Sequence, residues 1–573
     1  MANGMGSLYI GASGLRSSQT AINTTANNLA NVNTTGYVRQ QVLFGDKTYI
    51  TYGKAAVSKQ QAGLGVSIAD VVHTRDTFLD RSYRTESGRQ SFYAACYSTT
   101  SEVETYFQEM EGQAFQDNLE DFWAAFQEFE KDPSDSINQN LVMQKASLFL
   151  SRTKSVYSSL QSYQTNINTQ ISDNIDRINE LGKTIFTLNQ KISAVEAGGV
   201  ETAMSLRDER DNALDELATY ATIDYKELSD GTVKVKLEGV DFVDEAHAFQ
   251  IAKKVDDLTG FITPYWPQMS DTNRNEYSEV FNYNVDISSE YNTDVGGLKA
   301  LIMQRGDHYA NYSDIEGMSQ ETYNDTTGMS VMLVIEAQLD QLFHNIVTSI
   351  NDTICPNIES DKVINGIDEN GNAVTLPAGT KILDTANCAV GADGKIPPEE
   401  LFTRTGCDRY TKVTGADGTT YYVYNEEDTG DTSKMYTTRS LSVNAEIMDQ
   451  PSRLAHLTQE GKVAYSFAQT LAAVWEKSKI TLSPNSTGTC TFGEYYAQMI
   501  GELGTVGSVY DSTSTTLEGT ATAIDNKRTQ VTGVSSDEEL TNMIKYQNAY
   551  NAASRYINVV SEMIDVLLTG LGA

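Results

Sequence analysis

The chain has 573 residues, a formal charge of −35, 40% hydrophobic and 21% charged residues. That length predicts about three or four domains rather than one core, and the apolar content is enough for them to fold. The acidity excludes nucleic acid and anionic membrane surfaces as partners, since both need a basic stripe.

The charge is uneven. The first sixty residues carry Arg16, Arg39, Lys47, Lys54 and Lys59 against Asp46, and the last thirty carry Lys545 and Arg555 against Glu562 and Asp565. An acidic middle keeps copies soluble and mutually repelled. The near-neutral ends can approach without that penalty. No run of about twenty apolar residues predicts a membrane span. The first residues lack the basic and apolar regions of a secretory leader. By themselves these features read as cytosolic. The cysteines, Cys96, Cys355, Cys388, Cys407 and Cys490, form neither a disulfide framework nor a zinc site. Cys388 and Cys407 share a loop-rich segment, read either as a bridge or as two inert thiols.

In chain order, residues 7 to 31 predict a helix. Leu8, Ala12, Leu15, Gln19, Ile22, Ala26 and Leu29 alternate steps of four and three, a heptad seam, and Arg16 is the only charge on this helix. A helix without charges on its outer face suggests like neighbours on several sides. The pattern stops at Asn33-Thr34-Thr35-Gly36. From 90 to 220 the sequence predicts rod-like helices that bundle. Phe115, Leu119, Phe122, Phe126 and Phe129 mark one face before a break at Asp132-Pro133-Ser134. Ile171, Ile175, Ile178, Leu181, Ile185, Leu188, Ile192 and Val195 mark another, stopped by Gly198-Gly199.

Residues 222 to 296 predict a β-rich domain, with a hairpin signal at Asp230-Gly231 followed by alternating Val233 to Leu237. Helix returns over 297 to 350. Residues 355 to 440 predict strands and loops, with turns at Asn370-Gly371, Asp393-Gly394 and Asp417-Gly418 and a strand at Tyr421 to Tyr424. Helix then resumes after Pro451 and continues to the end. There Met543, Tyr546, Tyr550, Ala553, Ile557, Val560, Ile564, Leu567 and Leu571 form a continuous apolar stripe. Chain ends are usually frayed and polar, so this stripe calls for a partner, and the N-terminal seam is the nearest one. The alternative is that each terminal helix docks separately on the body.

The expected fold is therefore α+β and multidomain. Residues 1–60 with 530–573 form a terminal helical core, a coiled-coil-like base. Residues 61–221 with 297–354 and 441–529 form a helical shaft. Residues 222–296 and 355–440 are β-rich outer insertions. No catalytic, metal or cofactor motif is present. His73, His247, His308, His344 and His456 are scattered, and no H-E-x-x-H, G-x-S-x-G or phosphate-binding glycine loop occurs. The Asp368 region fails as a calcium loop at Gly366 and Pro377. Arg207-Asp208-Glu209-Arg210-Asp211 reads as intrahelical ion pairs on a solvated face.

Ala26-Asn27-Asn28-Leu29-Ala30-Asn31-Val32-Asn33-Thr34-Thr35-Gly36-Tyr37 resembles the N-terminal signature of bacterial flagellar rod, hook and hook-associated proteins. Gly36 to Gln40, Phe122 to Pro133, the helix 166 to 192 with Leu206 to Asp211, Gly296 to Ala300, Leu441 to Asn444 and the ending Tyr546 to Ile557 are similar to the hook-associated branch. Residues 355 to 440 match nothing in it. The resemblance implies a non-enzymatic subunit of the junction between hook and filament, exported through the flagellum's own channel and therefore extracellular without a cleavable leader. Its implied partners are like subunits in a ring, the hook protein, a second junction protein and an export chaperone at the C-terminal region. It also implies ends that fold only on assembly, with the two stripes named above as the assembly interface. Rival readings are another axial protein such as the hook subunit, an axial protein with an adhesive insertion at 355–440, and a cytosolic coiled-coil scaffold.

Overall fold

The computed structural model describes residues 2–34, 36–52, 60–107, 115–198, 202–477 and 479–571. The fold is mixed α+β. Helix α1 (Ala2–Ala30) leads into strands β1 (Gln40–Asp46), β2 (Tyr49–Tyr52), β3 (Gln60–Gly63) and β4 (Val66–His73). Then follow α2 (Thr77–Phe107), α3 (Phe115–Lys131), α4 (Ser136–Glu196) and α5 (Met204–Tyr220). Strands β5 (Ile223–Glu227), β6 (Val233–Leu237), β7 (Val240–Val243), β8 (Ala252–Val255) and β9 (Ile262–Tyr265) precede α6 (Gly297–Arg305), α7 (Gln320–Asp325) and α8 (Val331–Ile354). The second insertion holds β10 (Asn357–Glu359), β11 (Ile364–Asp368), β12 (Ala373–Leu376), β13 (Lys381–Leu383), β14 (Phe402–Arg404), β15 (Tyr410–Gly415) and β16 (Thr420–Tyr424). The chain closes with β17 (Leu441–Val443), α9 (Ala445–Asp449), α10 (Tyr465–Ala472), α11 (Val474–Lys477), α12 (Phe492–Thr532) and α13 (Ser536–Leu571).

The shaft is built on α4, whose 61 residues span about 90 Å at 1.5 Å each. Asp135 caps its start by accepting from the Ile137 amide. Its Ile171, Ile175, Ile178, Ile185 and Ile192 are fully buried. The phenylalanine face of α3 packs on α4 and on α10–α12: Phe122 stacks on Phe149 at 5.3 Å and meets Trp475 edge-on at 5.4 Å. Helices α2 and α12 run antiparallel, as the pairs Tyr93–Tyr510 and Tyr83–Arg528 require.

The hairpin signals are real turns. Asp230-Gly231 joins β5 to β6, with Gly231 at φ +80°, a conformation that costs glycine nothing. Asn370-Gly371 joins β11 to β12 and Asp417-Gly418 joins β15 to β16. The second insertion forms a six-stranded sheet, β10-β13-β16-β15-β11-β12, over a small core of Ile364, Ile382, Val413 and Val423.

Two expectations need correction. The terminal unit is not purely helical: β1 pairs antiparallel with β4, and β2 with β3. Helix does not run unbroken from Pro451 to the end. Residues 454–491 hold only α10 and α11, with the helix-breaking Gly461 before them and Pro484 and Gly488 after them, and α12 and α13 are separated at 533–535. Cys388 and Cys407 are not bridged; all five thiols are free. Gly199, half of the stop signal after α4, lies outside the described residues. Among the described residues no helix is long and apolar enough to cross a membrane.

Candidate assembly interface and joint

The two chain ends meet. Helices α1 and α13 lie antiparallel, with Gly11 against Ile557, Gly14 against Ala553 and Asn28 against Glu539. On the α13 side the contact uses the stripe seen in the sequence. Val560 is buried, and Met543, Tyr546, Tyr550, Ala553, Ile557 and Ile564 are half-buried. Leu567 is 61% exposed, and the side chain of Leu571 lies outside the described residues.

On the α1 side the line of contact is rotated by one residue. Gly11, Ser18, Ala21, Thr25 and Asn28 are buried with Gly14 half-buried, while Leu8, Ala12, Leu15, Ile22 and Leu29 sit half-exposed beside them and Gln19 and Ala26 are exposed. The reason is steric. A Cβ on Gly11 would stand 2.6 Å from the Ile557 side chain. Small residues let the backbones approach more closely than a leucine seam allows. A second side of α1 rests on β4: Ser13 Oγ accepts from the Val66 amide at 3.2 Å, and Ser17 Oγ donates to the Val66 carbonyl at 3.4 Å.

Much of α13 remains uncovered. Leu540, Ile544, Tyr556, Val559, Met563 (61%), Val566 (70%) and Leu568 are all exposed. Tyr556, Val559, Met563 and Val566 follow helical spacing, so they form a second apolar face.

The residues after α1 form a joint that ties three elements together. Asn28 uses its whole hydrogen-bonding capacity there. Its Nδ2 donates to the Gln40 carbonyl (2.9 Å) and to Glu539 (3.1 Å). Its Oδ1 accepts from Tyr37 Oη (2.9 Å) and the Gln40 amide (3.0 Å). Arg39 pairs with Glu538 (3.1 Å) and Glu539 (2.8 Å) at the start of α13, and its amide donates to the Thr532 carbonyl at the end of α12. Gly36, at φ +76°, lies so close to Asn212 that a Cβ would stand 2.3 Å from its amide. Burial raises the Tyr37 phenol to about 12.

Below the joint, α5 is anchored by ion pairs, and here a sequence reading fails. The cluster Arg207 to Asp211 is not a solvated face. Asp208 and Arg210 are buried, and the partners come from distant elements. Asp208 accepts from the Val38 amide (3.2 Å) and lies 3.6 Å from His73. Burial raises its carboxyl to about 7 and lowers the His73 imidazole to about 4. Asp211 pairs with Arg75 and Arg84, and Arg84 also holds Asp215 at 2.6 Å. Arg528 of α12 holds Asp215 at 2.6 Å and stacks on Tyr83. One network thus fastens α2, α5 and α12. Sequence spacing could not reveal it, because the partners lie far away in the chain.

A groove of about 1470 Å³ lies between α1, β4 and the start of α5, lined by Thr24, Asn27, Asn31, Glu196, Arg207 and Glu209 among others. Around it, hydrogen bonds and ion pairs join the segment 36–40 to α1, α5 and α13.

Comparison with known proteins agrees with this picture. Residues 100–354 match the family described as flagellar hook-associated protein FlgK helical domain. Residues 8–37 match flagella basal body rod protein, and 528–569 match flagellar basal body rod FlgEFG protein C-terminal. Flagellar hook-associated protein 1 of Bacillus subtilis (strain 168) is 24% identical over 97% of this chain and 96% of its own length. That of Escherichia coli (strain K12) is 22% identical over 97% and 98%. A solved structure, the flagellar hook junction protein FlgK from Burkholderia pseudomallei, aligns at 12% identity and TM-score 0.49 over 79% of this chain and 100% of that one. The chain is a structural protein of the bacterial flagellum, similar over nearly its whole length to flagellar hook-associated protein 1.

Proposed function

We propose that the chain serves at the hook–filament junction by coupled folding and assembly. In this reading α1 and α13 pair within each copy, and the apolar faces left over are covered by the ends of neighbouring copies in a ring. The observation that carries it is the outer face of α13. A helix with one apolar stripe needs one partner. Here α1 covers the stripe from Met543 to Ile564, while Tyr556, Val559, Met563 and Val566 stay in water. The half-exposed Leu8, Ala12, Leu15, Ile22 and Leu29 and the exposed Ala26 would border the same contact, with Leu567 extending it at the far end.

Burial of such faces stabilises by roughly 25 cal/mol per Å², and ordering the ends opposes it. The balance makes folding of the ends conditional on neighbours. Uncovered, they form an apolar patch prone to nonspecific association, which a chaperone at the C-terminal region would shield before export. The hook protein on one side and a second junction protein on the other would then complete the contacts outside the cell. Hydrogen exchange on the free full-length chain and on its assembled form tests this. The expected result is rapid exchange at 1–35 and 540–570 in the free chain, slow exchange there after assembly, and constant protection at 160–195. Ends as protected in the free chain as α4 would sink the proposal.

A further inference from the structure

Helix α8 presents Glu336, Asp340 and His344 at four-residue intervals along one face. Their exposures are 0%, 1% and 9%. Each grips chain outside the α-helices and sheets, in segments whose regular structure is one short 3-10 turn apiece, Tyr312–Asp314 and Thr432–Lys434. Glu336 Oε2 accepts from the Ala310 amide at 2.9 Å. Asp340 accepts from the Tyr312 amide at 3.1 Å and from the Thr438 amide at 2.6 Å. His344 stacks on Tyr312 with ring centroids 3.7 Å apart, and its Nε2 lies 2.9 Å from Glu427. Glu427 in turn accepts from Tyr312 Oη and from the Tyr436 amide. Two pieces are held: the segment 306–315 that follows α6, and the arm 425–440 by which the chain returns from the six-stranded sheet to the shaft.

The ladder is short of positive charge. Glu336 Oε1 is buried with no hydrogen-bond partner, and among the described residues no lysine or arginine pairs with Glu336 or Asp340. The groups facing them are few. His308 is shared between Asp307 (2.6 Å) and Asp314 (3.3 Å), which raise its imidazole to about 10. Tyr157 of α4 donates to the Ala310 carbonyl and faces Arg439 of the arm. Glu316 lies 3.9 Å from His344 Nδ1. A carboxyl buried with one bare oxygen is more stable as the neutral acid.

We propose that this ladder is a proton-dependent pin, whose acid form seats the 306–315 segment and the 425–440 arm on the shaft and whose ionisation in mildly alkaline solution loosens both. Burial raises Glu336 to about 8 and moves Asp340 in the same direction. A raised carboxyl contributes fully below the ordinary carboxylate range and is lost as pH climbs through its folded value. The insertion stays attached, since Arg409 still pairs with Asp352 and Glu400 near the end of α8. Its seating changes, not its connection. The pin lies wholly in the shaft and the insertion, so it stands or falls independently of how the chain ends assemble.

The test is residue-resolved hydrogen exchange on the full-length chain at about pH 6 and about pH 9, corrected for intrinsic rates and referenced to Val347 and Ile350. Once Glu336 ionises, protection at Ala310 should fall by up to tenfold per pH unit, and Tyr312 and Thr438 should follow. Glu336→Gln, which is neutral at every pH, should hold Ala310 protected throughout. Constant protection in the wild type, or the same fall in Glu336→Gln, overturns the proposal. Should that variant not fold, a carbon-13 titration of the wild-type carboxyls decides. A carboxyl titrating above about pH 7 at Glu336 supports the pin, and one titrating below about pH 6 refutes it.

Discussion

The long shaft helix and the last helix carry apolar stripes of similar regularity and treat them differently. In α4 the isoleucines from Ile171 to Ile192 are sealed on every side. In α13 the matching stripe is half-covered by α1, and a second apolar face stays open. A stripe alone therefore says that a helix has a partner. How many faces are apolar says whether the partner is in the same chain. The shaft should be stable by itself, and the ends should draw stability from assembly.

The sharpest contrast is between truncations in the two regions. Phe122→Ala removes a fully buried ring that contacts Phe149, Phe402 and Trp475, and should cost about 3–5 kcal/mol in denaturant unfolding of the free chain. Met563→Ala, at a site 61% exposed, should change that stability by less than about 0.5 kcal/mol yet impair assembly in sedimentation. Equal losses of stability for both would erase the distinction. Next in size is Arg84→Met. Its guanidinium is 3% exposed and holds Asp211 and Asp215. Leaving those acids short of a partner should cost about 3 kcal/mol, and adding Asp215→Leu should recover part of it. A simple sum of the two single losses would mean the network is not coupled.

The joint gives a pH-dependent test of intermediate size. Unfolded, Asp208 titrates near 3.9; folded, burial holds it at about 7. Its term is fully present below about pH 4 and is lost as pH rises to about 7. His73 runs the other way. Burial lowers it to about 4, so its term is present above about pH 6.5 and is lost as pH falls toward 4. Between those limits the slopes, at most about 1.4 kcal/mol per pH unit each, oppose one another. The assembled wild type should show a nearly flat contribution from the pair. Asp208→Asn should unmask stability rising with pH over that window, and His73→Gln stability falling with it. Matching profiles for the two variants would show that the pair does not titrate this way.

Sequence reasoning read the long-period features well. The stripe of α4, the phenylalanines of α3 and the turns at Asp230-Gly231 and Asp417-Gly418 are local patterns, and local patterns are what a sequence displays. It misread features that depend on approach distance or distant partners. Gly11 and Gly14 carry no hydrophobic signal, yet they meet Ile557 and Ala553 of α13, whereas the leucines one residue away display the pattern. Strand β1 begins Gln40-Gln41 and bulges at Leu43/Phe44, which hides its alternation. The charges from Arg207 to Asp211 had plausible neighbours at helical spacing, and nothing local announced that Arg75, Arg84 and Val38 would claim them instead. The signature asparagine was visible as a resemblance, but its role as a four-bond knot required the fold.

The finest test concerns two glycines three residues apart on α1. At Gly14 a Cβ would meet Ala553 at 3.6 Å, an ordinary contact, whereas at Gly11 it would stand 2.6 Å from Ile557. Alanine in place of a helical glycine gains roughly 0.8–1 kcal/mol of helix propensity. Gly14→Ala should keep that gain and slow exchange along 1–30 in the assembled form. Gly11→Ala should forfeit it to overpacking, typically about 1–3 kcal/mol, and should speed exchange in the same segment while leaving 160–195 untouched. Opposite signs at two neighbouring positions would locate the contact line on the small residues of α1. Equal effects at both would move it back to the leucine line and leave the exposed face of α13 without the close-packed base that its role in assembly requires.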